Sequence, residues 1–373
     1  MKIGVIAETA AGESRVAATP ETVKKYIGLG CAVSVQAGAG VTSSIADEEF
    51  SAAGAAIVKT AAAVLRNADI VLSVGRPTAQ NVKSMKKGAV SVAQMDPYGN
   101  ATEIEPFAAK DVTAFAMELM PRISRAQSMD VLSSQSNLAG YKAVIDAANL
   151  FNRAMPMMMT AAGTVPPARV FVMGAGVAGL QAIATARRLG AIVSATDVRR
   201  AAGEQVESLG ASFVMVETEE DAETSGGYAK EMSEDYQRRQ AELVADTIRK
   251  QDIVICTALI PGRPAPVLVT QDMVETMKPG SIIVDLAVER GGNCPLSKPG
   301  ETVDHGGVKI IGAMNLAAQV SGNASQLYAK NLLNFVELMI DKESAKIAID
   351  WEDEIITGTA LTRDGKIVHP AVT

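Results

Sequence analysis

Gly174-Ala175-Gly176-Val177-Ala178-Gly179 places three glycines at the first, third and sixth positions of a short run, and Asp197 follows 18 residues after the last. That spacing suits one kind of chemistry, the holding of a pyrophosphate by backbone alone. Gly174 makes a tight turn, Gly176 lets the backbone approach the phosphates, and Gly179 lets a helix pack close to a strand. The helix start adds free N–H groups and the positive end of its dipole. A carboxylate at Asp197 accepts hydrogen bonds from a ribose diol and repels a 2′-phosphate, which favours NAD(H) over NADP(H). Arg199 and Arg200 act against that preference, because a nearby arginine can host the phosphate.

The glycine run needs a strand before it and a helix after it. Residues 170–173 are a short apolar run of strand type, and Leu180, Ile183, Ala184 and Leu189 recur on one helical face. Gly190 ends that helix, and 191–196 form the next strand. A buried strand at 252–257 leads into the loop of Ala258 and Leu259. Ligands lie at the carboxyl ends of such strands, so both residues are expected at the cofactor. Cys256 reads as inert core; Asp285 and Glu289 read as catalytic acids or, more often for a loop acid, as structural. Gly38-Ala39-Gly40 also follows a strand, but Ser43 stands where a third glycine belongs, so it reads as a plain loop.

Two polar stretches admit two readings each. Residues 117–140 gather Arg122, Arg125, Gln127, Asp130, Ser133 and Ser134, either as a solvated loop or as donors and acceptors for a ligand. Residues 217–240 begin with a run of acids and reach Gly226, Gly227 and Tyr228. They read as a solvated excursion with a surface helix, or as a flap with glycine hinges and a tyrosine contact. Long amphipathic helices are expected over 138–155, capped by Ser136 or Asn137, and over 327–340. The methionines of 155–159 are expected in the core. The tail ends in a hairpin at Asp364-Gly365.

Composition sets the outer limits. A chain of 373 residues implies two or three domains, and a net charge of −7 argues against nucleic acid or anionic lipid as the main partner. No run of 18 apolar residues occurs, and the opening MKIGVIAE is a strand rather than a signal peptide. Three scattered cysteines and two histidines suit a reducing cytoplasm and leave no zinc site; no metal is expected. Strands and helices alternate from the start, which predicts an α/β fold with a doubly wound parallel sheet. The C-terminal tail is expected to rejoin the N-terminal domain.

Three long stretches carry a family resemblance: MELMPRISRAQSMDVLSSQSNLAGYKAVID, PMMMTAAGTVPPARVFVMGAGVAGLQAIATARRLGA and TALIPGRPAPVLVTQDMVETMKPGSIIVDLAVERGGNCPLS. The chain resembles the NAD(H)-binding component of proton-translocating nicotinamide nucleotide transhydrogenase. The resemblance implies two Rossmann-like doubly wound domains with a cleft between them, joined by long helices. The first would comprise 1–134 with 322–373, and the second 135–321. It implies a homodimer that binds NAD(H) and exchanges hydride with NADP(H) on a partner component. A membrane proton-channel component would complete the assembly, with this chain peripheral on the cytoplasmic face of the inner membrane.

By that resemblance Arg122, Gln127 and Asp130 do the catalytic orienting of the nicotinamide amide and ribose, with Ile123, Ser124, Arg125 and Ser133 beside them. The run Gly174 to Gly179 with Asp197, Val198 and Arg199 holds the adenosine and pyrophosphate half. Gly227, Tyr228, Gln240, Ala258 and Leu259 complete the contacts. The match departs at 8–14, at 74–97 and at Asn315-Leu316-Ala317-Ala318. Alanine dehydrogenase is the alternative enzyme: Arg15 matches its substrate-carboxylate arginine, but Gly75 and Gln94 stand near the places of its lysine and histidine. A non-catalytic NAD-sensing module is the alternative of another class.

Overall fold

The computed structural model describes residues 1–216, 233–260 and 262–372. Its contacts divide the chain into two units, Met1–Gln135 with Ala317–Thr373, and Ser136–Leu316.

The first unit is built on β1 (Lys2–Val5), β2 (Ala32–Gln36), β3 (Ala56–Val58), β4 (Ile70–Leu72), β5 (Val90–Ala93) and β6 (Thr113–Ala116). They pair in the order β3-β2-β1-β4-β5-β6, all parallel. Both faces are covered, so apolar residues fill successive positions, as in Ile70-Val71-Leu72 of β4. Ile70 and Leu72 enter one core while Val71 enters the other. The first helix, Pro20–Gly28, starts where a capping box predicts: Thr19 and Thr22 bond each other's backbone N–H, and Pro20 occupies the first turn. Gly38-Ala39-Gly40 is a packed turn, since a Cβ at Gly40 would lie 2.6 Å from the Ile45 carbonyl oxygen.

The tail packs with this unit. Thr362 Oγ1 accepts from Ala114 N–H and donates to the Val112 carbonyl, seating the tail beside β6. Thr362–Arg363 and Lys366–Ile367 form a hairpin around Asp364 and Gly365, both with positive φ as its tight turn requires. The Ser321–Glu337 helix lays Tyr328, Leu332, Phe335 and Val336 into the core. It starts six residues before the expected position, because polar Ser321, Asn323 and Gln326 precede the apolar stripe that announced it.

The second unit takes in the Val131–Leu150 helix from Ser136 onward and then a hairpin, β7 (Met158–Thr160) and β8 (Gly163–Val165). Met157, Met158 and Met159 are exposed, Met159 at 76%, which corrects their expected core placement; only Met155 is buried. Strand pairing between two exposed segments, not burial, orders these side chains. The main sheet is β9 (Arg169–Met173), β10 (Ile192–Thr196), β11 (Ser212–Phe213), β12 (Ile253–Cys256), β13 (Ile282–Asp285), β14 (Thr302–His305) and β15 (Val308–Gly312). Their order is β11-β10-β9-β12-β13-β15-β14, parallel except for β14 at the edge. That edge strand went unseen because its burial alternates weakly and its residues are polar. In this sheet the winding reverses between β9 and β12, the place where doubly wound folds bind ligands. Among the described residues no helix is long and apolar enough to cross a membrane.

Candidate functional site

At the reversal point β9 runs into the glycine turn and the Val177–Arg188 helix follows directly. Gly174 has φ +100°, a conformation that other residues rarely adopt. A Cβ at Gly179 would lie 1.8 Å from the Gly174 carbonyl oxygen, so only glycine lets the helix sit this close to the strand end. At Gly176 a Cβ would meet nothing within 4 Å. The helix start has no side-chain cap on Gly176, which leaves its first N–H groups for another acceptor.

Neighbouring strand ends hold this turn. Gly174 N–H donates to the Thr196 carbonyl at 2.8 Å, and Thr257 Oγ1 donates to the Gly174 carbonyl at 2.9 Å. Gln240, on the Glu234–Ile248 helix, donates from Nε2 to Thr196 Oγ1 at 3.0 Å, while its Oε1 is buried with no hydrogen-bond partner among the described residues. An unpaired buried acceptor beside an open backbone cradle fits a donor-bearing ligand. Val198 packs with Val216 and Leu243. Ala258 is half-buried, and Leu259 is 45% exposed at the carboxyl end of β12.

Asp197 is buried at 8% exposure, and its carboxylate is fully engaged. Oδ2 accepts from Ala175 N–H at 2.7 Å and from Arg199 Nη2 at 2.8 Å. Oδ1 accepts from the backbone N–H and the Nε of Arg199, both at 2.9 Å. Arg199, read from sequence as a counterweight to Asp197, is thus its ion-pair partner.

In the first unit, Ser124–Met129 is a 3-10 turn between Arg122-Ile123 and Asp130. Arg122, Ser124 and Gln127 are exposed. Arg125 is held by Asp353 through two bonds of 2.6 and 2.7 Å. Asp130 stands before the Val131–Leu150 helix, and its Oδ1 accepts from Ser133 N–H at 2.9 Å while Ser133 Oγ donates to Oδ2. That is helix-capping geometry, and it corrects the helix expected over 138–155: the cap is Asp130, not Ser136 or Asn137. The stretch 131–137 hid its helix because its serines and asparagine mask the apolar period. Asn331 fastens the turn by donating to the Ser128 carbonyl at 2.8 Å and accepting from Ser134 Oγ at 2.7 Å. The Asn331/Asn334 pair, three residues apart on one helix, was its only sequence signal.

Asn293 is a second residue the sequence did not announce. Fully buried, it accepts from Ala258 N–H and donates to the carbonyls of Ala258 and Pro266, fixing the loop after β12. Asp285 is structural: it accepts from the N–H groups of Ala287 and Cys294 and from Ser297 Oγ. Glu289 is exposed. Burial pushes the Cys256 thiol well above its ordinary range, as inert core requires. Gly227 and Tyr228, with residues 217–232 of the flap read over 217–240, lie outside the described residues. No cluster of three or more His, Cys, Asp or Glu able to hold a metal occurs among the described residues.

Arg15 is bound by Glu13 at 2.7 and 2.8 Å and by Gln135 Oε1 at 2.9 Å. Glu8 accepts from the N–H groups of Val74 and Gly75. Burial pushes the Glu8 carboxyl up to about 7, against those two bonds. Burial likewise pushes Glu118 up to about 7; its Oε1 accepts from Met95 and Asp96 N–H, and its Oε2 is buried without a partner.

Residues 4–139 match the family profile described as "Alanine dehydrogenase/PNT, N-terminal domain", and residues 143–370 match its C-terminal-domain counterpart. The second match runs through the tail that packs with the first unit, so it follows chain order rather than contacts. The chain is 58% identical over 380 residues to an NAD(P) transhydrogenase subunit alpha chain of Rhodospirillum rubrum, the first portion of a divided alpha subunit, covering 100% of this chain and 99% of that one. It is 45% identical over 374 residues to the protein of the same name from Rickettsia prowazekii, covering 99% and 96%. Its structure is similar to that of a transhydrogenase from Sinorhizobium meliloti, with TM-score 0.91 at 55% identity over 99% of this chain and 100% of that one.

Proposed function

The chain belongs to the alanine dehydrogenase/PNT family, among its NAD(P) transhydrogenase alpha subunits, and from that premise we propose that it binds NAD(H) and exchanges hydride with NADP(H) on a partner component. NAD(H), when bound, supplies the hydride carried at C4 of its nicotinamide ring. The chain's own contribution is binding and orientation, because a hydride passed between two rings needs no acid or base.

The observation that carries this reading is the cradle at the ends of β9, β10 and β12: the open backbone at Gly176, the free helix start, and the orphaned Gln240 Oε1. Gly174 to Gly179, Val198 and Arg199 hold the adenosine and pyrophosphate half; Asp197 accepts from the ribose. Ala258, Leu259 and Gln240 complete its walls, and Gly227 and Tyr228 are further nucleotide contacts that the family resemblance implies. Arg122, Gln127 and Asp130, with Ile123, Ser124, Arg125 and Ser133, fix the amide and ribose of the nicotinamide half. The domains are taken as 1–134 with 322–373, and 135–321. The protein acts as a homodimer, peripheral on the cytoplasmic face of the inner membrane, coupled to proton passage through a membrane component.

Two contacts disfavour alanine dehydrogenase activity. Arg15 is already paired, and Glu8 lies 3.6 Å from any Cβ at Gly75, where an amine would be needed. The test is an NADH titration followed by fluorescence, with a parallel assay of pyruvate plus ammonia. Saturable NADH binding without reductive amination is expected. A protein that leaves NADH free, or that aminates pyruvate, refutes the proposal.

A further inference from the structure

Asp197 is the residue a ribose diol needs, and its acceptor capacity is used up. A carboxylate offers about four lone-pair positions. Here four donors fill them: Ala175 N–H, Arg199 N–H, Arg199 Nε and Arg199 Nη2. The two backbone donors are fixed. Ala175 N–H is part of the glycine turn, and Arg199 N–H closes the exit from β10. Only the guanidinium can leave without undoing the fold. Its side chain is 21% exposed against 7% for Asp197, so the guanidinium is the more solvent-accessible member of the pair.

We propose that Arg199 is a selectivity latch: its guanidinium grips the Asp197 carboxylate, must be displaced by a ribose diol, and thereby narrows the preference for NAD(H) over NADP(H). The inference rests on the nucleotide site proposed above. A diol has to replace a bidentate, charge-assisted pair before it gains its own two bonds. A 2′-phosphate meets the opposite situation. The cation that shields Asp197 lowers the repulsion, and once released it is itself a phosphate partner two residues along the chain. Both effects act in one direction, so removing Arg199 sharpens discrimination whatever it does to either affinity alone.

The experiment measures dissociation constants for NADH and NADPH, and the association rate of NADH, on the full chain. Wild type, Arg199→Gln, Arg199→Lys and Asp197→Asn are compared. Arg199→Gln is expected to raise the NADPH-to-NADH ratio of dissociation constants about tenfold or more and to speed NADH association. Arg199→Lys keeps the charge without the two-pronged grip and falls between. It also guards against misfolding in the first variant. Asp197→Asn, with no ion pair to open, is expected to lower the ratio. A wild type that binds NADH while both Arg199 variants keep its ratio and its association rate overturns the latch alone. A wild type that binds no NADH overturns the nucleotide site with it.

Discussion

Glu118 is held in the folded chain under conditions a free carboxylate avoids. One oxygen takes two backbone N–H groups, and the other is buried with none. Burial raises its pKa from 4.5 to about 7, and it does the same to Glu8. A carboxyl with a raised folded pKa keeps a proton that the unfolded chain has released, so its contribution to stability falls as pH climbs from about 4.5 through about 7. Glu118→Gln copies the protonated form and cannot titrate. It is expected to leave the melting temperature unchanged near pH 4 and to raise stability by about 3 kcal/mol at pH 8, read by thermal denaturation across that range. The glycines divide at the same scale. Gly176→Ala has φ −75° and open space, so it should melt as wild type does but weaken NADH binding, because its Cβ enters the space left for the ligand. Gly179→Ala forces its Cβ onto the Gly174 carbonyl and should cost on the order of 3 kcal/mol in stability, seen in denaturant titration, as well as binding.

Elements place these residues through contacts that sequence periodicity does not record. The glycine turn, the Asp197 strand end and the Asp364-Gly365 hairpin were legible, because each rests on local geometry that few residue types satisfy. The start of the Val131–Leu150 helix was not, since five polar residues, 133–137, follow its two apolar ones and its cap is an acid read as a ligand group. Gly140 in that helix lies against the Val177–Arg188 helix, where a Cβ would be 2.0 Å from the Ala178 carbonyl oxygen. A pairing of that kind has no signature in either helix alone. The same holds for Asn331, which ties the 124–129 turn to the Ser321–Glu337 helix. Asn331→Ala leaves the Ser128 carbonyl and Ser134 Oγ short of a partner. It should lose about 1–3 kcal/mol of stability and loosen the Arg122–Asp130 segment, measured by amide hydrogen exchange across 122–134.

At the scale of the whole molecule, the sheet of the second unit carries the proposed nucleotide cradle and the first unit carries the Arg122–Asp130 segment. The first unit also bears Arg15, bound to Glu13, and Glu8, which accepts from the N–H groups of Val74 and Gly75. Composition argued against metal chemistry and nucleic acid, and the long verbatim stretches supplied an expectation that spacing alone does not, a second nucleotide on another protein. Direct transfer of a hydride to that second ring is the step on which the proposed function stands. It is tested by mixing this chain, loaded with NADH deuterated at C4, with an NADP(H)-binding transhydrogenase component and NADP+, and weighing the NADPH formed. Direct transfer predicts that the deuterium arrives in NADPH without dilution by solvent protons. NADPH carrying solvent hydrogen, or no NADPH from a mixture in which both nucleotides are bound, would contradict it.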